Sequence, residues 1–423
     1  MIHTEILQPG VTLRCFQDDR FKHGCLTVQF VREMKMEEAS LNAIIPAVLL
    51  RGTKSAPNLR AIVRRLDDLY GAAIGPVVRR VGNYQTTGFG CSFIEDRYAM
   101  EGDEVLRPMV EFLGEVLLEP VRSNGVFSRA FIKSEKKNLI SMLESQKNNK
   151  RAYANNQMLR KMCRKDSFGI PRLGTVATVK KITPENAWEQ YQKVLRESRL
   201  DIFYVGQAEP ATVAEALRPL LEKMERCYVN QEVQQGYVPS RRGSYVETMD
   251  VSQGKLCMGF TTDVTIGTPL FPAMQVLNTL YGGGMTSLLF MNVREKMSLC
   301  YDISSSFTGS KGIMVVSAGI DCDKDTVVKE EVLKQLEICK KRQFTKEQLK
   351  AAKQALINSL QGLHDSPSAI ENYYASGVLS GLNMTPEEYK AAVQKVTAKQ
   401  VAKVARKLKL HTTYFLKGVA QCN

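Results

Sequence analysis

Apolar and polar residues alternate with a period of two over Cys25–Val31, Gly88–Phe93, Lys255–Phe260 and Gly312–Ile320. That period predicts strands with one buried face. Apolar positions spaced three and four apart over Asn58–Leu69, Val105–Leu118, Phe127–Lys165 and Thr345–Leu363 predict amphipathic helices, the third broken near Lys147–Lys150. Strand and helix signals mix along the whole chain. The pattern therefore predicts an α+β fold in which helices pack on one face of a mostly antiparallel sheet.

The pattern also echoes itself. Thr183-Pro184-Glu185 opens a helical stretch that leads into Leu200–Gly206, and Thr385-Pro386-Glu387-Glu388 opens one that leads into His411–Gly418. A threonine cap, a first-turn proline and a carboxylate at the positive helix end all favour initiation there. Between the halves, Cys227–Tyr245 is polar and poor in strand signals, as a surface linker requires. At 423 residues the chain exceeds what one core supports. Two related domains are expected, 1–228 and 245–423.

Composition narrows the class. With 44% apolar and 24% charged residues, the chain reads as ordinary globular protein. No apolar run is long enough to span a bilayer, and Met1–Glu5 lacks a signal-peptide start, so a cytoplasmic protein without a membrane partner is expected. Ten cysteines without a single C-x-x-C pair read as reduced core thiols. The net charge of +14 is concentrated in residues 133–165, where ten Lys and Arg face only Glu135 and Glu144. Such a run is either a solvated helical face or a docking surface for something negative. With Tyr153 as its sole aromatic ring it is no stacking platform, and charge alone supports a nucleic-acid partner, so none is expected. Four histidines are present, His3, His23, His364 and His411, and no two share a helical turn.

The stretch Asn42-Ala43-Ile44-Ile45-Pro46-Ala47-Val48-Leu49-Leu50-Arg51-Gly52-Thr53 resembles the zinc helix of the insulinase/pitrilysin metallopeptidases. In that family it reads His-x-x-Glu-His, three apolar residues, a basic residue, Gly and Thr. Two imidazoles at i and i+4 hold zinc, and the carboxylate between them takes a proton from the bound water. Here the metal positions fall on Ala43 and Ala47 and the general-base position on Pro46. None can bind a cation or a proton. Inside a helix Pro46 also removes the bond to the Asn42 carbonyl, at a cost of roughly 3 kcal/mol, so a kink or late helix start near residue 46 is expected.

The likeness extends along nearly the whole chain. Tyr281-Gly282-Gly283-Gly284-Met285, a helix opening there and closing on Arg294-Glu295-Lys296, and then Tyr301 are similar to the family's carboxyl-domain signature. Leu69-Tyr70-Gly71-Ala72 sits where the family turns into its substrate-binding edge strand. Glu135-Lys136, Glu144-Ser145 and Lys150-Arg151-x-Tyr153-Ala154 resemble the segment of the third zinc ligand, with Met142 at the ligand position and Glu144 the nearest carboxylate. The resemblance implies two homologous domains closing as a clamshell around a peptide. It implies that Arg294 and Tyr301 steady the substrate carbonyl, that Gly71 and Ala72 bind extended substrate, and that Gly282, Gly283 and Gly284 touch it. No Gly-Lys-Ser/Thr follows those glycines, which excludes a phosphate loop.

The chain is accordingly identified as a zinc-less subunit of a processing peptidase. It would hold no cofactor itself and would lend its residues to a homologous, zinc-bearing partner acting on peptide or unfolded polypeptide. A homodimer is the other assembly the resemblance allows. The alternative function is a scaffold or peptide-binding protein with no part in proteolysis.

Overall fold

The computed structural model describes residues 2–230 and 236–419, so residues 231–235 of the expected linker lie outside the described residues. The chain folds into two compact units, each built on one sheet. All four alternating stretches form strands, His23–Glu33, Tyr84–Ile94, Gly254–Thr261 and Ile313–Ile320, with Gly312 of the last stretch left in the preceding turn.

The first unit holds a six-stranded sheet in the order Ile2–Gln8, Val11–Gln17, Arg199–Gly206, His23–Glu33, Tyr84–Ile94, Ala73–Val81. The second holds five strands in the order Asp302–Thr308, Ile313–Ile320, Gly254–Thr261, Lys409–Gly418, Gly243–Met249. The echo in sequence is an echo in topology. In each sheet the outer strand, its hairpin partner, the central strand and the last strand of the half pair antiparallel. In each, that last strand then pairs parallel with the first strand of the shared pattern, Val11–Gln17 or Gly243–Met249. Capping boxes at Thr183 and Thr385 start the matching helices, as read from the sequence.

The units are not the contiguous spans 1–228 and 245–423. Ser145–Gly169 belongs to the second unit and His364–Ser376 to the first. The predicted break explains the first crossing: the helix Arg129–Ser145 ends in a 3-10 turn, Gln146–Asn148, before Lys150–Met162 starts with Asn149 capping Ala152. One face of Lys150–Met162 carries Ala154, Met158 and Met162, all fully buried against Cys257, Ile313, Val315, Tyr414 and Leu416. The second crossing repeats the device, with helix Lys346–Gln361, 3-10 turn Gly362–Asp365 and helix Pro367–Ser380. Its Glu371, 1% exposed, accepts hydrogen bonds from Thr27 (2.9 Å), Gln29 (2.7 Å) and both guanidinium nitrogens of Arg79 (2.8 and 2.9 Å).

The expected late start at Pro46 is not what the chain does. The helix runs Met36–Leu49, ten residues of it ahead of the proline, and continues one turn past it to a bond from the Leu50 N–H to the Pro46 carbonyl (3.2 Å). Burial decides this. Ile44, Ile45, Val48 and Leu49 are all at most 5% exposed, and at about 1.5–3 kcal/mol each their burial exceeds the roughly 3 kcal/mol of one lost backbone bond.

Candidate functional site

The helix Met36–Leu49 keeps the frame of a metal helix with apolar groups at its chemical positions. Ala43 and Pro46 are buried and Ala47 is half-buried. Their neighbour Asn42 is tied into a buried amide chain, donating to Gln85 (3.0 Å) and accepting from Gln190 (2.8 Å). Burial alone would raise the Glu38 carboxyl, yet hydrogen bonds from Arg32 (2.9 Å) and Lys193 (2.8 Å) bring it down to about 2. The helix start is thereby clamped to the sheet.

Arg51-Gly52-Thr53 persists for reasons of packing. Arg51 pairs with Glu135 (3.4 Å) and donates to Ser134 (2.9 Å). A Cβ on Gly52 would stand 2.6 Å from the Pro57 carbonyl oxygen, and the Thr53 hydroxyl accepts the Ala56 N–H at 3.0 Å. At the expected third-ligand position Met142 is exposed, as is Glu144 in the same helix. Among the described residues no three His, Cys, Asp or Glu side chains converge as a metal would require.

Gly71 and Ala72 form the turn that delivers a sheet edge. Tyr70 and Gly71 both have positive φ (58° and 70°), and the Ala72 N–H is held by the carbonyls of Leu66 and Leu69. Ala73–Val81 follows as the outermost strand, paired among the described residues with Tyr84–Ile94 alone. Pro76 within it suits an edge, since proline has no N–H to give an inner ladder.

In the second unit Arg294 and Tyr301 line one cleft of about 410 Å³ together with Glu295, Ser298, Asp321 and Lys324. Arg294 lies on a π-helix, Leu289–Lys296, whose wide winding shows in the Met297 N–H to Asn292 carbonyl bond (3.2 Å). Such winding is rare and concentrates at functional sites. This element opens after Leu288 rather than at Met285, because Gly282-Gly283-Gly284 and the residues after them form turns. The Arg294 guanidinium stacks over Phe290 (4.6 Å) and pairs with Glu295 (3.3 Å). Tyr301 is half exposed, and its hydroxyl donates to Asp321 (2.8 Å), which raises the phenol above its ordinary value. Lys324 and Tyr301 together hold the Asp321 carboxyl below the usual range.

The glycines 282–284 do not line this cleft. The Gly282 carbonyl accepts the Ser305 N–H (2.8 Å), and a Cβ there would meet that nitrogen at 2.7 Å. Gly283 packs as closely on Thr279, and Gly284 faces open space. Asp321 and Lys324 were absent from the sequence reading. The strand register brings them to the cleft: Asp321 directly follows the strand Ile313–Ile320, whose Gly319 carbonyl accepts the Tyr301 N–H (2.8 Å).

The basic run of residues 133–165 is divided between the two units. Lys136 caps the carbonyls of Lys180 and Ile182, while Arg151 pairs with Asp302 (3.1 Å) and Lys161 lies over Tyr245. The remaining exposed cations do not make one continuous face along a single helix.

Comparison with known proteins agrees with this geometry. Residues 181–356 match the family model described as Peptidase M16 inactive domain. The "probable inactive metalloprotease YmfF" of Bacillus subtilis is 27% identical over 97% of this chain and 96% of its own length. An uncharacterized zinc protease of Streptomyces coelicolor is 29% identical over 57% of this chain and 54% of its own. A conserved protein of Enterococcus faecalis superposes with a TM-score of 0.92 at 28% identity over the whole of both chains. A peptidase M16 inactive domain from Pseudomonas fluorescens shares the fold, with a TM-score of 0.82 at 16% identity over 99% of this chain and 98% of its own. With two repeated α+β units, a zinc helix stripped of its ligands and base, and these relatives, the chain is an inactive M16 peptidase-like protein of the insulinase type.

Proposed function

We propose that this chain is the zinc-less subunit of a cytoplasmic, two-subunit processing peptidase, supplying Arg294 and Tyr301 to the zinc site of a homologous partner. The observation that carries this reading is the convergence of those two side chains on one open cleft, in a chain whose own metal positions are Ala43 and Ala47. A cation and a phenolic donor aimed at a developing oxyanion are worth most where water is excluded. Extended peptide would add to the outer strand Ala73–Val81 through backbone bonds that read little sequence. The chain alone should hold no stoichiometric zinc and cut no peptide. Mixed with a zinc-bearing homologue, it should restore chelator-sensitive proteolysis, and failure of every such mixture would defeat the proposal.

A scaffold or peptide-binding role is the second reading. It is favoured by the occupied state of both side chains, Tyr301 on Asp321 and Arg294 on Phe290 and Glu295. Unchanged turnover in an assembled pair carrying Arg294→Ala and Tyr301→Phe would select it.

A further inference from the structure

A second cleft, also of about 410 Å³, lies within the first unit and plays no part in the peptidase reading. Its floor is aromatic. Trp188, the only tryptophan in the chain, meets Tyr191 at 5.0 Å between centroids and Phe127 edge-on at 5.1 Å. Leu118, Leu195 and Met224 complete an apolar wall. Tyr191 is fixed from below by its hydroxyl on the Leu117 carbonyl (2.6 Å).

The rim is cationic. Arg122, Arg196 and Lys223 line it against the single carboxylate of Glu225, and all three are exposed. No ion pair joins any of the three to a carboxylate among the described residues. Arg122 is placed by a two-residue hairpin. Asn124 and Gly125 take positive φ (52° and 82°), as so tight a turn requires, which sets Arg122 directly opposite Phe127. Its guanidinium carbon lies over the Trp188 ring, 5.6 Å from the centroid. A cation–π contact of that kind holds the guanidinium over the ring while its N–H donors remain able to bind an anion. At the nearby helix end Arg226 donates to the carbonyls of Leu195 (2.9 Å) and Ser198, which offsets the negative end of that helix.

From this arrangement we propose that the cleft binds an organic carboxylate with an aromatic or aliphatic body, the body on Trp188 and the carboxylate on Arg122 and Arg196. A free small acid and the C-terminal residue of a peptide share that chemistry. The volume suits a group of one or two residues, at the small end of ligand pockets. A neutral ligand would leave three cations without an anion, so the charge is integral to recognition.

Trp188 makes the test direct, since all intrinsic tryptophan emission of the full chain reports on this cleft. N-acetylphenylalanine should change that emission saturably, and N-acetylphenylalaninamide should bind at least about tenfold more weakly, the scale of one charge-assisted contact. Arg196→Gln and Arg122→Gln should each weaken the acid by about tenfold while leaving the amide unaffected. Arg196 stands on the helix Pro184–Glu197, apart from the hairpin, so its variant keeps the test valid if the hairpin of Arg122→Gln is disturbed. A pentapeptide ending in phenylalanine separates the two sources: tighter binding than the single residue identifies a peptide terminus, and exclusion of the peptide identifies a small acid. No saturable response to the acid, equal affinity for acid and amide, or full affinity in Arg196→Gln would overturn the proposal. Proteolysis with a zinc-bearing partner is a separate readout, so neither result stands in for the other.

Discussion

Ala73–Val81 and Asp302–Thr308 occupy the same place in two sheets of matching topology, yet their outer sides are finished differently. The second is closed at its middle, where the Ser305 N–H donates to the Gly282 carbonyl. The first follows a Gly71 turn, bears Pro76, and meets a neighbouring strand on one side only. Matching edges are thus finished by packing in one unit and not in the other, and beside the packed edge Tyr301 and Asp321 line a cleft. The difference lies in one glycine contact, and the sheet order is indifferent to it.

The largest test of that division is chemical. In an assembled pair with a zinc-bearing homologue, Arg294→Ala should lower kcat by about 100-fold, the scale for losing one oxyanion donor, with Tyr301→Phe lowering it less. Neither should dissociate the pair on gel filtration. An edge-strand variant such as Val78→Pro, whose N–H faces outward as the proline at 76 does, should instead act on peptide affinity, visible as a change in KM with kcat retained.

Glu371→Ala comes next. It strips Arg79, on the open strand, of its buried carboxylate, and removal of one member of such a pair costs on the order of 3 kcal/mol. Urea denaturation should show a lower midpoint, with the first unit's transition affected. A midpoint unchanged from the parent chain would mean that the crossing helix does not hold that edge.

Acid should act on the same unit. The Glu38 carboxyl is depressed to about 2, so its contribution is present above the ordinary carboxylate range near 4.5 and is lost as pH falls toward 2. Glu38→Gln should flatten the decline in thermal midpoint between those values. An identical acid profile in the variant would assign the decline to other carboxylates.

The smallest effects sharpen the comparison most. Gly282→Ala puts a Cβ 2.7 Å from the Ser305 nitrogen and should destabilise by about 1–3 kcal/mol, as overpacking does. Gly75→Ala, in the open strand with nothing within 4 Å, should stay within about 0.5 kcal/mol of the parent. Equal losses at the two glycines in calorimetry would remove the distinction between the edges.

Much of this was readable before any coordinates. Period-two runs named the strands because a half-buried sheet enforces alternation, and threonine caps named helix starts because their hydroxyls satisfy orphan N–H groups. The family resemblance paired Arg294 with Tyr301, and the two line one cleft. Asp321 and Lys324 were not readable, since they join it through a strand register across some twenty residues. The aromatic cleft beside Trp188 was missed as well, although Asn124-Gly125 between short apolar segments is a hairpin signal. Of the two outcomes expected at Pro46, the late helix start fails because a local penalty was weighed without the tertiary burial that exceeds it.

What the sequence determined by itself was local: which segments alternate, where helices begin and break, and that Ala43, Pro46 and Ala47 have no group able to hold a cation or move a proton. The tertiary structure alone decided which sheet each broken helix joins, and it placed Lys150–Met162 in the second unit and Glu371 in the first. A capped helix with one apolar face will pack on any sheet of matching shape. Burial and buried ion pairs, which form only between distant residues, make the choice.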